Sequence, residues 1–152
     1  MNEIKDLFIE GTAKTPQVDF NHLTGELILF GKSIPENAAK VYEPLIEWIN
    51  EYIKSPRHIT NLRLNLEYFN SASVLWHAKM IKALSKINVE DSILFINLYF
   101  DNDDFENMDT AELRGTVGSL VDNIEEVKIS IGVKVYGTDD SGKIVRETTI
   151  LL

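Results

Sequence analysis

The sequence predicts a mixed α/β sandwich, a β-sheet with parallel strands at its centre, helices packed on it and an antiparallel hairpin at either end. Three observations carry this reading. Stretches with apolar residues at every second position alternate with stretches where they recur every three or four residues, the periods of strands and helices. Strands joined through helices pair in parallel by right-handed crossovers. Finally, β-branched runs on both sides of Gly137-Thr138-Asp139-Asp140-Ser141-Gly142 read as a closing hairpin.

Leu7 to Glu10 could supply a short edge strand, broken by Lys14-Thr15-Pro16. Gln17 to Asn21 alternates Val18 and Phe20 with polar residues, and after the turn His22-Leu23-Thr24-Gly25 the run Glu26 to Gly31 returns as a more apolar strand. Ser33-Ile34-Pro35-Glu36-Asn37 opens a first helix, with Pro35 near its first position and Glu36 in its first turn. Ala38, Val41, Tyr42, Leu45, Trp48, Ile49, Tyr52 and Ile53 then share one helical face. Pro44 inside that run predicts a kink near Val41 to Pro44, or two short helices.

Ile59 to Phe69, with Leu62, Leu64, Leu66 and Tyr68 in alternation, is the clearest strand. Asn70-Ser71-Ala72-Ser73 follows at once and starts a helix to about Ile87, whose predicted buried stripe is Val74, Leu75, Ala78, Ile81, Ala83, Leu84 and Ile87. Trp76 and Met80 form a neighbouring i, i+4 pair, either part of the core or, if exposed, a partner surface. Ser92 to Phe100 reads as another buried strand and Asp101 to Asp109 as an acidic loop. Thr110 to Asn123 is a weaker helix, because Gly115 and Gly118 each cost about 1 kcal/mol relative to Ala. The hairpin strands are Val127 to Tyr136 and Lys143 to Leu151.

The bulk properties exclude several function classes. The chain has 152 residues, suiting one domain, and its hydrophobic (44%) and charged (26%) contents are those of a globular protein, not a disordered one. Acidic residues outnumber basic ones 24 to 15, for a net charge of -9, and no run of three basic residues occurs; nucleic acid and anionic membranes are disfavoured partners. Cysteine is absent, which removes disulfides, thiol nucleophiles and Cys-based zinc sites and fits a reducing compartment. The polar start Met1-Asn2-Glu3-Ile4-Lys5-Asp6 is not a secretory signal, and no stretch approaches the ~18 apolar residues of a membrane span. The expectation is a cytoplasmic protein without a membrane insertion.

Motifs for catalysis are missing. No G-x-G-x-x-G or P-loop follows a strand, and there is no G-x-S-x-G or H-E-x-x-H. His22, His58 and His77 have no ligand spacing and read as surface residues. In Asp101-Asn102-Asp103-Asp104-Phe105-Glu106, alternating oxygen ligands make Asp101, Asp103 and Asp104 weak candidates for Ca²⁺ or Mg²⁺, against the simpler reading of a solvated acidic loop. No cofactor is called for.

That leaves the helix start. With Asn70 as N-cap, Ser71 stands at the first helical position with its hydroxyl toward solvent, beside free N–H groups and the positive end of the helix dipole. A phosphoryl group there would gain about 0.3–1 kcal/mol from the helix end and place about -1.5 to -2 charge on a previously neutral surface. The alternative is a simple cap by Asn70 or Ser71, worth about 1 kcal/mol, and on local sequence alone that reading is the better one.

A resemblance changes the balance. Thr15-Pro16-Gln17-Val18-Asp19-Phe20, Gly25-Glu26-Leu27, Gly31-Lys32-Ser33-Ile34-Pro35-Glu36-Asn37, Tyr42-Glu43-Pro44-Leu45-Ile46-Glu47-Trp48 and Leu66-Glu67-Tyr68-Phe69-Asn70-Ser71-Ala72-Ser73 occur in an order that resembles the SiaC family of bacterial regulatory phosphoproteins, the DUF1987 domain, over roughly residues 12 to 105. The resemblance implies a fold like that of anti-sigma-factor antagonists of the STAS type; the hairpin from about Val127 onward departs from the family's pattern, so the expectation is a single SiaC-like domain over 1–152 with 126–152 as a C-terminal β-hairpin extension. It implies a non-enzymatic protein, switched by a kinase and a PP2C-type phosphatase acting on a Thr or Ser in the Asn-Thr/Ser turn, whose unphosphorylated form binds and activates a diguanylate cyclase. On this chain the phosphoacceptor position is Ser71, with Asn70, Ala72 and Ser73 as its surroundings. The chain departs from the family's Thr-Ser-Ser run, having Ser71-Ala72-Ser73, and from its Trp-Tyr-Tyr type sequence, having Leu98-Tyr99-Phe100. Two further readings stand beside this one, a constitutive binding module using Trp76, Met80 or the C-terminal hairpin, and a metal-dependent enzyme using the acidic loop.

Overall fold

In a computed structural model, which describes residues 4–151, the chain forms one seven-stranded sheet with its strands in sequence order. Residues 1–3 of the polar amino terminus, and 152, lie outside the described residues. Strand β2 (Gln17–Asn21) runs antiparallel to both its neighbours, β1 (Leu7–Ile9) and β3 (Glu26–Ser33). Strands β3, β4 (Ile59–Phe69), β5 (Ile93–Asp101) and β6 (Ser130–Thr138) are parallel neighbours, and β7 (Ile144–Leu151) returns antiparallel to β6. The parallel centre and the two antiparallel ends match the expectation from element order.

Each parallel step carries a helix: α1 (Ala38–Tyr52) between β3 and β4, α2 (Ser71–Leu84) between β4 and β5, and α3 (Asn102–Asn107) with α4 (Thr110–Val121) between β5 and β6. Because the strands are ordered sequentially, crossovers of one hand lay these helices on the same face. There α1 packs on α2 and α2 on α4. The core lies between that layer and the alternate strand residues Leu27, Leu29, Leu62, Leu64, Leu66, Leu94, Ile96, Leu98, Val133 and Val135. Tyr42, Leu45, Ile49 and Tyr52 of α1, Met80, Ile81 and Leu84 of α2, and Val117 and Leu120 of α4 fill it from the other side.

The other sheet face is mixed, with Ile28, Phe30 and Phe95 beside a polar cluster. Arg63 donates to Glu26 (Nε to Oε2, 3.0 Å) and to the Tyr99 hydroxyl (2.7 Å), and Tyr136 donates to the buried Asn97 (3.0 Å). Period-2 alternation in β4 encodes one apolar and one polar face, whereas β3 and β5 carry apolar residues toward both.

Several boundaries differ from the sequence reading. Strand β3 runs on to Ser33, so 33–35 do not begin the helix; Asn37 is the N-cap of α1 and accepts from the Lys40 N–H at 3.3 Å. The extension is made through Gly31, at φ 110°, next to a register shift against β4, a backbone state L residues rarely adopt. Pro44 does not split α1, which is one 15-residue helix. Part of the expected acidic loop is helix α3, and β6 starts at Ser130 instead of Val127.

Candidate functional site

The candidate site is the β4–α2 turn, and its chemistry begins with Asn70. Asn70 has extended backbone (φ -97°, ψ 172°) and its Oδ1 accepts from the Ser73 N–H at 2.9 Å, the N-cap arrangement. Its own N–H donates to the carbonyl of Ser33 at 3.0 Å, which fastens the turn to the end of β3. Ser71 is then the first helical residue and is exposed, as is Ala72.

Ser73 has the opposite environment. It is 0% exposed, and its Oγ lies 2.7 Å from Asn70 Oδ1, 2.8 Å from the Ser33 carbonyl and 2.7 Å from Ser33 Oγ. Ser33 Oγ in turn meets the hydroxyl of Tyr42, and Tyr42 meets His77 Nε2 at 2.8 Å. These four side chains come from β3, α1 and α2, so one buried chain of hydrogen bonds holds the start of α2 to two other elements. Burial pushes the Tyr42 phenol up and pulls His77 down to about 4, so both are neutral near pH 7. Of the two serine hydroxyls in this turn, that of Ser71 is the exposed one.

Around Ser71 the surface is apolar. Leu75 shares its helical face one turn on and is 67% exposed; Phe69 before the cap is 45% exposed, and Ile34, adjacent to the Ser33 carbonyl that holds Asn70, is 37% exposed. Such neighbouring apolar side chains at a helix end mark a contact surface more than scattered ones do.

The other sequence candidates fare differently. Leu75 was expected in the buried stripe and is instead exposed, while Met80, read either as core or as partner surface, is fully buried and so belongs to the core. Trp76 is half-buried, stacked on Tyr42 with centroids 6.2 Å apart, and Lys79 sits 4.2 Å over its outer ring face. The helix is apolar on more than one side, so sequence spacing alone leaves its rotation ambiguous. His77, expected at the surface, is in the core. Asp101 is spent as the N-cap of α3, accepting from the Asp103 N–H at 2.9 Å, and Asp103 and Asp104 lie exposed in its first turn. Among the described residues no three His, Cys, Asp or Glu side chains converge as a metal would need.

Comparison with known proteins agrees with this geometry. The family model described as SiaC family regulatory phosphoprotein matches residues 9–125, about three quarters of the chain. An uncharacterized protein of Pseudomonas aeruginosa is 31% identical over 71 residues, which is 47% of this chain and 56% of that relative. The chain thus matches little more than half the length of that relative. Among solved structures, apo-SiaC from Pseudomonas aeruginosa superposes with a TM-score of 0.65 at 20% identity, over 84% of this chain and 98% of the other. The SiaC chain in a complex of the diguanylate cyclase SiaD with its activator SiaC, also from Pseudomonas aeruginosa, gives 0.63 at 23% identity, over 83% and 98%. At these identities the two structures establish the fold.

Proposed function

The chain belongs to the SiaC family of regulatory phosphoproteins, and from that premise we propose that it is a non-enzymatic signalling protein, switched by reversible phosphorylation of Ser71, that binds and regulates a partner such as a diguanylate cyclase. The observation that carries this reading is the contrast within one helical turn. Ser71 is exposed and needed by no contact of the fold, while Ser73 is buried and bonded on every side. A phosphoryl group on Ser71 would sit at the end of α2 without disturbing the buried chain beneath it. It would set about -1.5 to -2 charge amid Ile34, Phe69 and Leu75. An apolar partner surface docked there would have to desolvate that charge, which costs far more than losing one contact.

The opposing enzymes in this scheme are a protein kinase and a PP2C-type phosphatase. The cyclase partner is suggested by the related complex of SiaD with its activator. We read the chain as a single domain with 126–152 as a C-terminal hairpin; Val133 and Val135 of β6, beyond the family match, enter the same core. Among the described residues no helix is long and apolar enough to cross a membrane, and the scheme places the protein in the cytoplasm.

Phosphosite mapping by mass spectrometry after treatment with the kinase tests the assignment. The expected result is phosphate on Ser71 and none in Ser71→Ala; phosphate on Ser73 or elsewhere with none on Ser71 would remove it.

A further inference from the structure

A cavity of about 260 Å³ lies on the helix side of the sheet, toward the carboxyl ends of β4 and β5. Crevices at the carboxyl ends of parallel strands are where open α/β sheets receive ligands. Leu64 and Leu66 of β4, Leu98 of β5, Val74 of α2 and Leu120 of α4 wall this one, and no Asp, Glu, Lys or Arg lines it. Of its polar lining, the Tyr99 hydroxyl accepts from Arg63 at 2.7 Å, and Thr116 and Ser119 donate their hydroxyl protons to carbonyls of their own helix, Glu112 at 3.0 Å and Gly115 at 2.9 Å.

His77 is different. It is 3% exposed, and its Nε2 is engaged by Tyr42 at 2.8 Å. Among the described residues its Nδ1 has no hydrogen-bond partner, and the residue lines the cavity. That nitrogen is not one of the fully buried polar atoms left without a partner, Ser92 Oγ and Asn102 Oδ1, so a polar atom arriving beside it exchanges water for one hydrogen bond. The rest of the lining is mostly apolar and open to solvent at exposed Phe69 and Ser119, so a guest with an apolar body gains by covering it from water. With no charged residue in the lining and the imidazole held neutral by burial, an ionised guest would find no counter-charge.

We infer that this cavity is a binding site for a small neutral molecule with an apolar body and a single hydroxyl or carbonyl group, seated with that group on His77. Its volume exceeds the roughly 150 Å³ that holds a benzene ring, so a substituted ring fits. The inference stands apart from the Ser71 switch and does not require it.

The test uses the full chain with labelled leucine and valine methyl groups, p-cresol as the probe and toluene as its counterpart without the hydroxyl. p-Cresol should give saturable NMR shifts at Leu64, Leu66, Val74, Leu98 and Leu120 and none at the exposed Leu23 and Leu75. It should bind roughly three- to tenfold tighter than toluene, the worth of one hydrogen bond. Ser119→Leu fills the cavity from α4 and should weaken p-cresol by about tenfold or more, with a native-like amide spectrum showing that it folds. If it does not fold, the wild-type methyl map and the p-cresol to toluene ratio decide. Absence of saturable shifts up to the solubility limit, shifts confined to exposed methyls, equal affinity for the two probes, or unchanged affinity in folded Ser119→Leu would overturn the site.

Discussion

Of the three turns among the described residues that leave a parallel strand for a helix, each closed by a side-chain oxygen, the two that follow β4 and β5 make the sharpest contrast. After β4, Asn70 accepts from the Ser73 N–H; after β5, Asp101 accepts from the Asp103 N–H, each at 2.9 Å. The local chemistry is alike and the consequences are not. The Asn70 turn is bonded to Ser33, and through it to Tyr42 and His77, and it starts a helix with seven buried residues. The Asp101 turn starts a six-residue helix that buries none, tied to β7 by Arg146 and Glu106 at the surface. A cap becomes a platform only when long-range bonds anchor it. An anchored turn presents a new charge to a partner, whereas an exposed acidic turn merely gains one more.

Substitution by Asp sharpens the contrast most. Ser73→Asp would bury a carboxylate against the Ser33 carbonyl and should cost about 3 kcal/mol or more in urea denaturation. Ser71→Asp, two residues away, should change stability by no more than about 0.5 kcal/mol, as should Asp103→Ala in the second turn. Similar costs at Ser71 and Ser73 would erase the distinction between them.

The anchored turn should also be the acid-sensitive one. The folded value of His77, about 4, lies below its ordinary 6.5, so the unfolded chain binds the proton more readily. The stabilisation is full above pH 6.5 and is lost as pH falls toward 4, amounting to about 3 kcal/mol. Urea midpoints of the native chain should therefore fall across that window, and those of His77→Gln should fall much less. Parallel slopes would mean that His77 is not held neutral.

Smaller effects follow at the caps. Asn70→Ala should cost about 1–2 kcal/mol and Asp101→Ala about 0.5 kcal/mol, since only the first cap also supports a buried hydroxyl. On the surface beside the first turn, Leu75→Ser should leave the urea midpoint nearly unchanged yet weaken partner binding by about tenfold, the worth of one buried Leu at a contact; calorimetric titration with the partner checks this.

Much of the frame was legible from sequence. Leu62, Leu64 and Leu66 declare the face of β4 by period alone, and an Asn followed by small polar residues at a strand end announces the cap. What escaped is what long-range contact decides. Ser33 and Ser73 are forty residues apart, and Tyr42 and His77 thirty-five, so nothing local marks them as one buried chain. His77 read as a surface residue because a lone histidine on a helix carries no sign of the tyrosine it will meet. Leu75 reads as part of the buried stripe, and Met80 as either core or surface, because α2 is apolar on several sides and only the partners packed against it fix its rotation. Gly31 carried β3 past the expected helix start by a backbone conformation that sequence spacing does not register.

The central claim is that Ser71 carries the signal. Calorimetric titration of the proposed partner, a diguanylate cyclase, into the protein before and after kinase treatment, in the native chain and in Ser71→Ala, tests it most directly. The account predicts that treatment abolishes binding by the native chain and leaves Ser71→Ala binding intact. Binding by the native chain that survives stoichiometric phosphorylation, or loss of binding by treated Ser71→Ala, would contradict it.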